Sequence, residues 1–278
     1  MALIAVLWIV AALSVMVIGL SGSVRQQIRI AGAQRDQVSG QAVAEAAMAL
    51  ALQTMAASQE RAAGVVNVQV SYGGQTIDLD IAPLDGLISL NGANVPLLAA
   101  LLQTGGGLDT GRAQALAAEI VAWRDTRPEV DPTSPGAASV QARRFEAPED
   151  LLLVPGIDYT LYARIAPLVT AELSGGGQVN PLAAPPGVLA VLAHGDAARV
   201  ATYLRQRSSG QPGADASGLR SDLIGGSGTD LYRLQARVPL DAGKILLLTR
   251  DVALGAMYAP TAPWRILRTD RQIVSPAA

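Results

Sequence analysis

"MALIAVLWIVAALSVMVIGLSGSVRQQIRI" (residues 1–30) opens the chain with a segment that carries no charged side chain before Arg25. A helix rises about 1.5 Å per residue, so roughly 20 apolar residues span the hydrocarbon core of a bilayer. Residues 1–20 reach that length, with Ser14 and Gly19 as the only departures. Three readings are open. A cleavable signal peptide needs a basic n-region, which is absent, although Ser21-Gly22-Ser23 suits a cleavage site. An ordinary anchor oriented by Arg25, Arg29 and Arg35 leaves the bulk of the chain in the cytoplasm. A short basic leader, removed just ahead of Met1, supplies the missing positive flank and puts the body outside the cytoplasm. The sequence that follows favours the third reading.

Past Arg25 the helical pattern continues. Ile28, Ala31, Val38, Ala42, Ala46, Ala49, Leu52 and Ala56 recur on a helical period and predict an amphipathic stripe. One helix over about 2–58 would be ~85 Å long, apolar all round in its first half and packed on a domain in its second. Gly32 and Gly40 each weaken it by about 1 kcal/mol relative to alanine. An anchor followed by a separate helix is the alternative.

The 278 residues have room for one large or two smaller domains. A net charge of −2 provides no global basic field for nucleic acid. The absence of cysteine excludes disulfides and thiolate metal sites. In the body, "VNVQVSY" (66–72) puts Val66, Val68, Val70 and Tyr72 on one face, Gly73-Gly74 turns the chain, and Ile77, Leu79 and Ile81 alternate again. That is a hairpin signature. "DGLISLN" (85–91) reads as a third, short strand. From about 92 to 205 the period is helical, with segments at 95–103, 109–125, 147–154, 159–169, 186–196 and 196–207. Strands return at 232–240, 244–249 and 264–268, while the Gly/Ser-rich stretch 207–229 reads as a mobile loop. Helices are thus inserted between two hairpins expected to share one sheet.

The leaderless apolar terminus, the long amphipathic helix and the interrupted sheet resemble the type IV pilin and pseudopilin superfamily. In that superfamily a basic leader is removed and the new first residue, which the resemblance would make Met1 here, is methylated. Most members carry glutamate at the fifth mature position, where this chain has Ala5. A buried carboxylate in the membrane needs a partner, so its absence suits a subunit at a filament's leading end. Together with "ISLNGANVPLLAALL" (88–102), "QVNPLAAPPGVLAVLA" (178–193) and "RRFEAPEDLLLVPGIDYTLYARIAPLVT" (143–170), this absence resembles the K-class minor pseudopilins of type II secretion. In the two Asn-bearing segments, Asn91 or Asn94, and Asn180, would supply side-chain oxygens near helix starts.

The resemblance implies an α+β, type IV pilin-like fold: a long N-terminal helix packed on an antiparallel sheet, with a large inserted all-α domain of two SAM-like helical units. The expected layout is a transmembrane helix at 1–24, its amphipathic continuation at 25–58, the first part of the sheet at 64–91, helical units at 92–170 and 171–207, a flexible loop at 208–229 and the second part of the sheet at 230–278. It implies a single-pass bacterial inner-membrane protein with a periplasmic C-terminal domain, and a structural role in protein export. It would start assembly and cap the pseudopilus tip, with the I-class and J-class minor pseudopilins as partners. Family members also bind calcium in an acidic loop, which corresponds here to "WRDTRPEVDP" (123–132). The candidate ligands are Asp125, Glu129 and Asp131, but Arg124 and Arg127 oppose a cation, and Gly136-Ala137-Ala138 lacks the family's acid.

Two other function classes have sequence features in their favour. "LLLVPGIDYTLYARI" (151–165) also resembles a helix-hairpin-helix, the turn of a membrane-tethered DNA receptor. Arg143, Arg144 and Arg164 are offset there by Glu146, Glu149, Asp150 and Asp158, so no nucleic-acid partner is expected. For an anchored hydrolase, His194 is the only histidine, and it follows an apolar helix where a C-terminal cap is the ordinary role. No enzymatic activity is expected.

Overall fold

The computed structural model describes residues 2–58, 61–126, 143–175, 177–209, 214–226, 228–255 and 263–275. Of residues 2–29, it describes side chains only for 4, 6–8, 10 and 27; that of residue 242 also lies outside the description. The N-terminal helix α1 is one unbroken element, Ala2–Ala57. Five strands make an antiparallel sheet: β1 (Val66–Tyr72), β2 (Gln75–Pro83), β5 (Leu231–Pro239), β6 (Ile245–Leu254) and β7 (Trp264–Val274), in the order β1-β2-β5-β6-β7. The β2–β5 pairing, Asp78 opposite Arg237 through Pro83 opposite Tyr232, joins the two hairpins across the long insertion.

The insertion carries β3 (Ile88–Ser89), α2 (Val95–Thr104), α3 (Thr110–Asp125), α4 (Tyr159–Ile165), β4 (Val169–Thr170), α5 (Pro186–Leu192) and α6 (Ala197–Ser208). Residues 92–170 and 171–207 share one apolar core, which runs from Leu97 and Leu101 through Ile120 and Ile165 to Leu189 and Tyr203.

Several expectations are corrected. The third strand is not in the main sheet: β3 pairs in parallel with β4 inside the helical layer, because the helices that follow carry the chain away from β2. The segment 147–154 is a 3₁₀ turn, Pro148–Leu153, and not an α-helix; Asp150 Oδ2 accepts from Glu146 N and Ala147 N and tightens it. The described part of 207–229 is packed, since Leu219 and Leu223 are buried and Val179 bridges Ile224. Strands β6 and β7 run past their predicted ends because each satisfies the other's backbone from Ile245–Val274 to Leu254–Trp264.

The buried stripe of α1 also differs from the predicted one. Ala31, Val38, Ala42 and Ala49 are exposed; Leu52 is buried as expected, but the rest of the row against the sheet is Gly40, Ala44, Ala47, Met48 and Ala51. In an alanine-rich helix every face is mildly apolar, so hydropathy does not select one. Shape does. Small residues let the backbone approach β5 and β6, and Met48 and Leu52 reach in beside Ile77, Leu79, Leu234 and Leu248.

Close approach decides a second glycine. A Cβ on Gly86 would lie 2.3 Å from the Ala183 carbonyl carbon, whereas one on Gly32 meets nothing within 4 Å. We therefore expect Gly86→Ala to destabilise the protein by about 1–3 kcal/mol through overpacking against backbone. Gly32→Ala should stabilise the helix by up to about 1 kcal/mol. Denaturant unfolding of the two variants in detergent would show opposite shifts of midpoint.

Candidate functional site

The site begins where α1 leaves the sheet. Gly40 is the first buried residue along the helix among the described side chains. From Ala2 to Ser39 the helix extends roughly 57 Å beyond that point. Ile4, Val6, Leu7, Trp8 and Val10 are each more than half exposed, and so are Ile30 and Val38. Exposed apolar side chains such as these can pack on another surface. Among the described residues no helix is long and apolar enough to cross a membrane; most side chains of 1–29 are not in that set. Met1 and the side chain of Ala5 lie outside the described residues.

Two polar latches fix the helical layer over the sheet. In the first, Asn180 Nδ2 donates to Asp85 Oδ1 (3.1 Å) and to the Ala63 carbonyl (2.8 Å), and Asn180 N donates to the Asp85 carbonyl (2.8 Å). Arg207 donates to the carbonyls of Pro181, Leu182 and Ala184 and ties α6 to the same loop. Asp85 is 5% exposed and its Oδ2 has no partner among the described atoms, as is true of the buried Tyr232 hydroxyl. Burial raises the Asp85 pKa, against a smaller lowering by the Asn180 hydrogen bond. In the second latch, Arg268 of β7 grips Glu149 with both guanidinium nitrogens, one at 2.8 Å. That grip holds the Glu149 carboxyl down at about 2.

The two Asn-bearing segments play different parts. Asn94 caps α2, accepting from Leu97 N at 3.0 Å. Asn91 instead clasps Phe145, accepting from its N–H (2.9 Å) and donating to its carbonyl (2.9 Å), and also donates to the Ala171 carbonyl (2.7 Å). Asn180 caps no helix; α5 starts at Pro186, and the residue before it, Pro185, provides no side-chain cap. His194 is exposed, with φ +55°, just past α5, and Gly195 N donates to the Ala190 carbonyl (2.8 Å). This is a Schellman end.

Of the calcium candidates, Asp125 is exposed at the end of α3 and paired with Arg124 at 3.0 Å. Glu129 and Asp131 lie outside the described residues. Among the described residues no group of three or more His, Asp or Glu side chains is placed to hold a metal. The neck of that loop is closed by Arg143 N donating to the Thr126 carbonyl (3.2 Å) and by Trp123 stacked on Phe145 at 4.6 Å. The arginines of the segment that resembles a helix-hairpin-helix have structural partners. Arg143 lies over Trp123, Arg144 donates to Ser174 Oγ, and Arg164 donates to the Gly106 carbonyl.

Neither a family model nor a curated protein matches this chain. Among solved structures, it is similar to a chain in the crystal structure of the GspK-GspI-GspJ complex from the enterotoxigenic Escherichia coli type 2 secretion system. The identity is 16%, the match covers 89% of this chain and 98% of the other, and the TM-score is 0.48.

Sequence reasoning missed both latches. Asn180-Pro181 and Asp85-Gly86 are local signals of turns, but nothing local says that the two turns meet.

The latches have opposite pH signatures. The folded-state pKa of Glu149 is depressed, so its contribution is complete above the ordinary 4.5 and is lost as pH falls towards about 2. Glu149→Gln should therefore be less stable than the parent by about 0.5–1 kcal/mol above pH 5, a size limited by solvent screening, and should converge with it near pH 2. Asp85 is raised, so its ionisation destabilises the fold as pH rises through the folded-state value. Asp85→Asn should flatten that decline and melt higher than the parent on the alkaline side. Thermal melts over a pH series would separate the two.

Proposed function

We propose that this chain is a structural, non-enzymatic minor pseudopilin of the K class, held in the bacterial inner membrane by residues 1–20, with its C-terminal domain in the periplasm. The observation that carries this reading is the division of one continuous helix. Its described side chains from Ile4 to Ser39 are not buried by the rest of the chain, and its Gly40–Leu52 face is seated on the sheet. Such a helix offers half of itself to lipid and to neighbouring helices while its own globular domain stays rigidly attached.

On this reading the latched helical layer is a broad head that leaves no room for a subunit above it, so the protein caps the tip and helps start assembly. GspI-like and GspJ-like subunits would pack along α1. With Ala5 the chain brings no carboxylate into the membrane where other superfamily members do, so no counter-charge is needed there. Calcium at Asp125, Glu129 and Asp131 remains part of the proposal through the family resemblance alone.

The native chain has no cysteine, so single-cysteine variants report contacts cleanly. In membranes holding the full chain with its I-class and J-class partners, Ile30→Cys should cross-link to a cysteine on a partner's N-terminal helix, and Leu52→Cys, facing the sheet, should not. Absence of any Ile30→Cys adduct while all three proteins are present would overturn the reading. So would a native mass that includes residues ahead of Met1.

A further inference from the structure

The two edges of the five-stranded sheet are guarded differently. The β7 edge carries Arg265, Arg268, Asp270 and Arg271, is bulged opposite Asp251 and Val252, and is tied down through Glu149. Charges, bulges and covering elements are the devices that keep an edge strand from recruiting another strand. Among the described residues the β1 edge has none of them. Val66–Tyr72 contains no charge, proline or glycine, and its ladder to β2 runs without a register shift.

The turn fixes which groups are free. Gly73 and Gly74 both have positive φ (59° and 79°), the type I′ geometry that makes the flanking Tyr72 and Gln75 a hydrogen-bonded pair. Alternation along an antiparallel ladder then directs Val66, Val68 and Val70 towards β2 and leaves the N–H and C=O groups of Asn67, Gln69 and Ser71 facing outwards. The side chains specify more. Val68 and Val70 are half-buried on the face that α1 covers, and Val66 is 41% exposed beside them. On the opposite face Asn67 donates to Asp80 and Gln69 to Asp78 (2.9 Å). Arg237, which stands opposite Asp78 in the ladder, forms its salt bridge with Asp80, and among the described residues no salt bridge reaches Asp78. That face is therefore net acidic beside an open edge.

We propose that β1 accepts an extended strand from a partner protein, one that alternates β-branched apolar residues with lysine or arginine. Its main chain pairs with Asn67, Gln69 and Ser71. Its apolar side chains extend the valine face, and its cationic side chains lie over Asp78 and Asp80. This is strand addition to a sheet edge, with specificity set by alternate side chains. The inference does not depend on the pseudopilin reading.

The test uses the full chain in a non-ionic detergent and a fluorescein-labelled nine-residue peptide of alternating valine and lysine, with a valine/glutamate peptide as control. Fluorescence anisotropy should show the lysine peptide binding at least about tenfold more tightly than the control, the worth of about one charge-assisted hydrogen bond. Gln69→Pro removes an outward N–H and leaves the β2 ladder intact, so it should weaken binding about tenfold, with only a small fall in melting temperature from loss of the exposed Gln69–Asp78 hydrogen bond. A peptide N-methylated at one central amide provides the same test from the ligand side, independently of the folding of that variant. Asp78→Asn with Asp80→Asn should erase the preference for lysine over glutamate. Equal binding of the two peptides, or indifference to both Gln69→Pro and N-methylation, would overturn the proposal. So would a concentration-dependent dimer in sedimentation that Gln69→Pro abolishes, since the occupant would then be a second copy.

Discussion

A long helix can serve two surroundings only if its own domain holds it firmly over part of its length. Here that hold comes from the close seating of Gly40, Ala44, Ala47, Met48, Ala51 and Leu52 on β2, β5 and β6. The small side chains matter as much as the large ones, because they set the distance at which Met48 and Leu52 make contact. A Cβ at Gly40 would already sit 2.6 Å from a Leu240 methyl group. The same close approach aligns the inward faces of Ile77, Leu79, Tyr232, Leu234, Leu246 and Leu248 beneath one helix. Every other layer of the molecule is positioned from that sheet.

The helical layer has its own apolar core, separate from the one beneath α1. What joins the two is mainly polar: Asn180 with Asp85 on one side, and Arg268 with Glu149 on the other. Apolar burial is indifferent to direction, whereas hydrogen bonds are not, so the junction specifies how the head sits on the sheet more than how tightly it is held. The Arg268–Glu149 latch contributes little to stability, because the partly exposed ion pair is screened, whereas Asn180 satisfies a buried carboxyl.

Much of this architecture is visible locally. The long helix, the Gly73-Gly74 hairpin, the alternation of Tyr232, Leu234, Ala236 and Val238 and the return of strands after a helical insertion all follow from periodicity and turn chemistry. So does the His194 cap. The apolar segment at residues 1–20 is likewise plain in the sequence, since uncharged length is a one-dimensional property.

Other features depend on what lies across from a residue. The predicted stripe through Val38, Ala42 and Ala49 missed the buried face because alanine carries no preference, and the shape of the opposing sheet chose the row through Gly40 and Met48. The strand at 88–89 paired with 169–170 because the path of the helices brought those two segments together. Asn91, Asn180, Gly86 and Glu149 acquired their roles from partners 54 to 119 residues away, or from a backbone nearly a hundred residues on. The sequence by itself determined which segments are helix, strand and apolar tail, because those choices depend on near neighbours along the chain. Only the tertiary structure decided which face is buried, which edge is open and which carboxylates are held, because those are set by distance in space.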